Sequence, residues 1–225
     1  MTKYLIFDSG PLINITQNCL ISAFRDLETI FQGSFIATPG VIYESIIHPM
    51  KIKRFEWGAI RMQSLLDEEI IRPLSETELV NEEELKTRTQ EIMNKANNAL
   101  FSEGKPIHLI ERGESECLAL ASMLNERNIK NAVVIDERTA RMICEDPKKL
   151  KDLMESKLHA KIKVNEDNFK IFQKIKVLRS TELMYTAFKR KLMDTDKRKL
   201  EAVLYALKYG GCSVSEREVE FMKNV

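Results

Sequence analysis

Zinc-ribbon and disulfide chemistry have almost nothing to work with in this chain. Its four cysteines, Cys19, Cys117, Cys144 and Cys212, are scattered singly with no C-x-x-C pair. The three histidines, His48, His108 and His159, lie away from them at spacings no zinc site uses. The thiols are therefore expected to be reduced and buried, as in a cytoplasmic protein. Long apolar runs are missing as well. No stretch approaches the ~20 residues needed to span a bilayer, and Asp8 interrupts the only early run, so no N-terminal signal is visible. A soluble protein with no membrane contact is expected. Net charge is nearly absent at +1, which excludes a histone-like polycation but not a local basic patch. No G-x-G-x-x-G follows the first apolar run, so the dinucleotide fingerprint is lacking.

What is there is enough apolar material to fold. Of 225 residues, 44% are hydrophobic and 31% charged, which offsets the entropy of folding and leaves a soluble surface. No internal repeat or low-complexity linker divides the chain. One elaborated domain over residues 1–225 is the expectation.

Three apolar runs, residues 4–7, 34–38 and 132–135, are too short for amphipathic helices and read as buried strands. Residues 174–178 are a fourth candidate, in which two lysines alternate with apolar positions. Helical patterns separate these runs. Thr38 caps one helix with Pro39 in its first turn, and Val41, Ile42, Ile46 and Ile47 follow. A second spans 114–124, with Gly113 as a break before it, and a third spans 138–144 ahead of Pro147. Helices over 181–192 and 196–209 precede a Gly210-Gly211 stop and a short segment after Ser213. Alternation of this kind predicts an α/β fold in three layers, α/β/α, around a parallel sheet of four or five strands. Residues 75–100, rich in Glu and Lys, and lysine-rich 146–163 read as helical insertions on that core.

The acids fall in a pattern. Asp8 ends the first strand, Glu44 lies one turn into the Thr38-Pro39 helix, Glu114 and Glu116 open the next helix, and Asp136 ends the strand at 132–135. In a parallel sheet, strand C-termini and the N-termini of the following helices share one edge, where open α/β folds bind ligands. Singly, each acid has an ordinary use. Asp8 caps a turn, Glu44 faces solvent, Glu114 and Glu116 favour a helix N-terminus, and Asp136-Glu137-Arg138 caps a helix. Together they repel: two carboxylates ~4 Å apart do so by ~4 kcal/mol at an effective dielectric of ~20. Either some protonate, or a cation sits among them, or they face solvent separately. An oxygen-only set matches Mg²⁺ or Mn²⁺. Such a site suits phosphodiester hydrolysis, because the metal activates water and neutralises the scissile phosphate.

The ordered set Ile6-Phe7-Asp8-Ser9-Gly10-Pro11-Leu12-Ile13, the Thr38-Pro39 helix with Glu44, Gly113-Glu114-Ser115-Glu116, and Val134-Ile135-Asp136-Glu137-Arg138-Thr139-Ala140-Arg141 resembles PIN-domain proteins. The likeness is to the prokaryotic branch with a Gly-Glu-x-Glu helix start. The tail, Ser180-Thr181 and then Gly211-Cys-Ser-Val-Ser215, is similar too. The resemblance implies a Mg²⁺- or Mn²⁺-dependent endoribonuclease, often the toxin of a toxin–antitoxin pair, with an RNA substrate, an antitoxin or other protein partner, and a homodimer. Carried over by position, Asp8, Glu44, Glu116 and Asp136 are the metal-binding acids. Glu114 is auxiliary, and Ser9 and Thr181 are hydroxyls able to hold a metal-bound water. Arg138 and Arg141, opening a helix at the same rim, are expected to attract phosphate.

A haloacid-dehalogenase-like phosphatase also begins with a strand ending in Asp, but it needs a second Asp where Gly10 stands. The serious rival is a catalytically inactive PIN-like scaffold that binds RNA or a protein, against which the retention of all four acids speaks. The clusters at 189–191 and 197–199 read as solvated helix faces, and Tyr185, Phe188 and Tyr205 as core.

Overall fold

The computed structural model describes residues 4–193 and 196–224. The first apolar run is strand β1 (Tyr4–Phe7), whose Leu5, Ile6 and Phe7 are all buried, as a strand covered on both faces requires. Helices α1 (Ser9–Gln17) and α2 (Ile21–Ile30) lead to β2 (Ser34–Ala37). Thr38 caps α3 (Pro39–Ile42) by accepting from the Val41 amide, and α3 widens at once into a π-helical turn (Tyr43–Ile47). Helix α4 (Lys53–Asp67) returns the chain to β3 (Arg72–Pro73). Helix α5 (Glu82–Asn97) and the short strands β4 (Leu100–Ser102) and β5 (Lys105–Pro106) precede α6 (Arg112–Glu126) and β6 (Asn131–Val134). Then come α7 (Arg138–Glu145), α8 (Pro147–Leu158), β7 (Ile162–Val164) and β8 (Val177–Leu178). Helices α9 (Ser180–Lys189), α10 (Lys197–Tyr209) and α11 (Glu216–Asn224) close the chain.

The result is an α/β protein with a five-stranded parallel sheet, β3-β2-β1-β6-β8, flanked by helices, and a small antiparallel sheet, β5-β4-β7. From β1 the chain steps outward through β2 to β3, then crosses back to β6 on the other side of β1 and on to β8. The order therefore reverses between β1 and β6, the position at which open α/β sheets form a ligand crevice. Phe7 stands opposite Ala37 on one side and Val134 on the other, which sets the residues after all three strands along one edge.

Several sequence expectations change in detail. The fourth strand shrinks to Val177–Leu178, and β3 is added at the opposite edge. Gly113 does not break the chain but lies inside the first turn of α6. Ile47 is exposed, because the π-helical turn rotates it off the face that buries Val41 and Ile46. Cys19, expected to be buried, is exposed at a left-handed turn after α1, whereas the other three thiols are buried.

The two segments read as insertions join each other. Helix α5 packs on α6 through buried Leu85, Ile92 and Ala96. Helix α8, anchored by buried Leu150 and Met154, leads to β7, which pairs antiparallel with β4. Glu103 and Gly104, both at positive φ, make the tight turn between β4 and β5.

The core beneath β1 and β2 centres on Phe7, Phe24 and Phe35, whose ring centroids lie 5.1–5.2 Å apart. Phe24, fully buried on α2, fixes that helix to the sheet. Phe24→Ala is expected to cost roughly 3–5 kcal/mol, the usual range for emptying such a site. Urea unfolding measures it, and a loss under about 1 kcal/mol would refute this packing role.

Candidate active site

Asp8 leaves β1 at the N-cap position of α1, yet its side chain makes no capping bond there. Its Oδ1 is buried without a hydrogen-bond partner, and the residue is only 5% exposed. Burial first, then the charge of Glu114 and, more weakly, of Glu44 push its pKa up to about 7, while the Ser9 and Gly10 amides offset only part of the rise. A turn cap does not behave in this way.

Glu44 and Glu116 are held crosswise by two glycines. Glu116, buried on α6, accepts from the Gly40 amide at 2.7 Å and from Arg112 Nε at 3.2 Å. Glu44 is exposed as a residue, but its carboxylate rests against Gly113 and accepts from the Ser9 hydroxyl at 3.2 Å. A Cβ built on Gly113 would come within 2.6 Å of Glu44 Oε2, and one on Gly40 within 2.6 Å of Glu116 Oε2. Each glycine thus admits the carboxylate of the opposite segment. Partial desolvation raises the pKa of Glu44, opposed by the Ser9 hydrogen bond and reinforced by the charge of Glu116. The buried Cys117 thiol, bonded to the Phe7 carbonyl, is pushed well above the usual thiol range by burial, then by Asp8 and Glu116, and more weakly by Glu44.

Asp136, 3% exposed, sits across the reversal point from Asp8 in a bracket of donors. Ser180 gives its amide to Oδ1 at 2.8 Å and its hydroxyl to Oδ2 at 2.7 Å. Asn14 Nδ2 adds a bond to Oδ2 at 3.2 Å, and the same nitrogen binds the Leu207 carbonyl at 2.8 Å. Thr181, the hydroxyl expected from sequence, is buried and meets Cys212 Sγ instead, so Ser180 takes the place beside the acid. Glu114 reaches back to the Glu111 amide at 2.8 Å and completes a capping box. Its pKa also rises to about 7, through burial and then the charges of Glu137 and Glu44, with the Glu111 hydrogen bond opposing. Glu137 caps α7 through the Ala140 amide. Arg138 is exposed at the start of that helix, whereas Arg141 lies 3.3 Å from Glu145.

Asn14, Arg112 and Gly40 carry no role in the sequence reading, and Ser180 and Gly113 stand in its motifs without one. Asn14 carried a signal, being an amide inside the apolar run Leu12-Ile13-Asn14-Ile15. The others depend on contacts across the fold that no local pattern encodes.

Among the described residues, no three Asp, Glu, His or Cys side chains stand close enough together to hold one metal ion. Like charges oppose such convergence, and Glu116 and Asp136 spend oxygens on the donors above. The donor chemistry nevertheless fits a hard divalent cation, because the acids offer only oxygen and Asp8 Oδ1 lacks any other partner. Fold and site together define an α/β protein that brings acids from separate segments to the reversal of its strand order. No protein-family model, curated protein or solved structure matches the chain.

Asp8 and Glu114 bind protons in the folded state up to about pH 7, whereas unfolded carboxyls release theirs near pH 4. Between those values the native state holds more protons, so its stability falls as pH rises. In EDTA the melting temperature is expected to decline from pH 5 to pH 8, and Asp8→Asn to flatten the decline. A rising curve would contradict the placement of these acids.

Proposed function

We propose that the chain is a divalent-metal-dependent endoribonuclease of PIN-like type, hydrolysing phosphodiester bonds of single-stranded or structured RNA at the Asp8 site. One observation carries the reading: a buried carboxylate at the strand reversal point, with Oδ1 unpartnered, facing further acids from separate segments. Groups so placed are stable together only with protons or a cation among them.

Asp8, Glu44, Glu116 and Asp136 are the residues that would hold Mg²⁺ or Mn²⁺. Bound there, the ion would supply charge neutralisation at the phosphate and activation of water. Asp136 is kept in orientation by Ser180 and Asn14, as ligating carboxylates need. Ser9, bonded to Glu44, offers a hydroxyl to an attacking water. Glu114, with its pKa near 7, is able to carry a proton at neutral pH and pass it to the departing oxygen. Arg138, exposed at the start of α7, supplies positive charge for the RNA backbone, while Arg141 keeps Glu145 as its partner. The resemblance to PIN-domain toxins extends the proposal to a cytoplasmic toxin paired with an antitoxin, acting as a homodimer. Among the described residues no helix is long and apolar enough to cross a membrane.

Purified protein with Mn²⁺ is expected to cleave single-stranded RNA, and Asp8→Asn to lower kcat/KM roughly 10²–10³-fold, as loss of a transition-state charge contact does. Because Asp8→Asn relieves a buried charge, it should melt no lower than the parent in EDTA. RNA left intact by the parent protein, or cleaved equally by Asp8→Asn, would overturn the nuclease reading in favour of an inactive binding scaffold.

A further inference from the structure

Reaching one of the site's acids, Glu44, a cavity of about 540 Å³ opens between α1, the π-helical turn and α4. Ile13, Ala59 and Met62 give it apolar walls, and the absent side chain of Gly58 leaves open space at its edge. Two aromatic residues on its rim are turned to solvent, Phe55 at 45% and Trp57 at 69% exposure. The Arg54 guanidinium stands 5.3 Å over the Phe55 ring. Neither Arg54 nor Arg61, which also lines the cavity, has a carboxylate partner among the described residues. Within the wall, Thr16 is 1% exposed and its hydroxyl has no hydrogen-bond partner.

A fold gains nothing from leaving an indole, a phenyl ring and two guanidinium groups without carboxylate partners around one concavity. Aromatic faces with cations between them are what an unpaired base and its phosphates require. A duplex offers the phosphates but no free base, since its bases are already stacked and paired.

We infer that this cavity seats an unpaired nucleotide of a single-stranded nucleic acid. Its base stacks on Trp57 at the rim, and Arg54 and Arg61 counter the adjacent phosphates. The direction of the strand, onward past Glu44 to Asp8, rests on the nuclease reading; the binding itself does not.

Trp57 is the only tryptophan of the chain, so its emission reports on this cavity alone. A 2′-O-methyl RNA of about ten nucleotides, long enough for such a groove, is titrated in EDTA, where it cannot be cut. Saturable quenching of Trp57 that weakens with salt, and no quenching by the duplex of the same sequence, is the expected result. By anisotropy of a labelled oligomer, Trp57→Ala and Arg61→Ala are each expected to weaken binding roughly tenfold, a typical loss for one stacked base or phosphate contact. Both side chains are on the rim, so melting temperatures should hold. An oligomer that binds without quenching, or binds both variants as it binds the parent, overturns the inference. So does a dimer that Trp57→Ala dissolves and the oligomer does not compete with, because a second copy then fills the groove. An acidic peptide that quenches Trp57 where the oligomer does not assigns the groove to protein and overturns it equally. Quenching with no Mn²⁺-dependent cleavage leaves the groove standing and removes the nuclease. Asp8-dependent cleavage with a silent Trp57 does the reverse.

Discussion

Asp8 Oδ1 is buried at the point where the sheet reverses its strand order, with no donor to satisfy it, and the elements around it are arranged on that constraint. The strand that places it is apolar and buried on both faces, so the carboxylate emerges from a low-dielectric wall rather than from solvent. Helix α1 begins at the next residue without using the side chain as its cap. Burial, then the charges of Glu114 and Glu44, raise the pKa of Asp8 to about 7, and the Ser9 and Gly10 amides compensate only in part. Burying repelling groups in this way costs the fold stability.

The remaining acids are held by means that cost less. Glu116 and Glu44 lie against glycines of opposite segments, so α3 and α6 approach more closely than side chains would permit. Asp136 is bracketed by Ser180 and Asn14, and its own carbonyl accepts from the Ser213 amide. The C-terminal elements thereby serve the site as well as the core. Arg179 is buried beside Ser180 and binds the Ser213 carbonyl at 3.1 Å and Glu218 at 2.8 Å, which ties α11 back to the end of β8. Although burial works against it, Glu218 is drawn down to about 2 by hydrogen bonds from Ser215 and then from Arg179. Ionised throughout the physiological range, that pair keeps the bracket closed; its stabilisation is present above the unfolded carboxyl range and is lost only as pH falls through about 2.

Much of this is legible in the sequence. Apolar runs too short for helices marked β1, β2 and β6, because a strand buried on both faces has no polar alternation to confuse it. Thr38-Pro39 marked a helix start through its own capping chemistry. The rim position of Asp8, Glu44, Glu116 and Asp136 followed from strand ends and helix starts alone. The two-residue strands β3 and β8 were illegible or overlong, since their pairing is supplied by neighbours rather than by propensity. The small sheet was missed because β4 and β7 lie some sixty residues apart in sequence and neither is a strand without the other. At the site, Ser180 and Thr181 are both hydroxyl residues at the start of α9, and only the helix rotation decides which one faces Asp136. Gly113 looked like a break because its purpose, room for the Glu44 carboxylate, is visible only in three dimensions.

The most direct test is anomalous diffraction at the manganese edge from crystals of the protein soaked in Mn²⁺. A single strong peak in contact with Asp8 Oδ1 is expected, with Glu44 or Glu116 swung from its glycine toward the ion. Crystals that take up manganese elsewhere, or that leave Asp8 as it stands while showing no peak beside it, would contradict a metal-dependent role for the carboxylate on which the site is built.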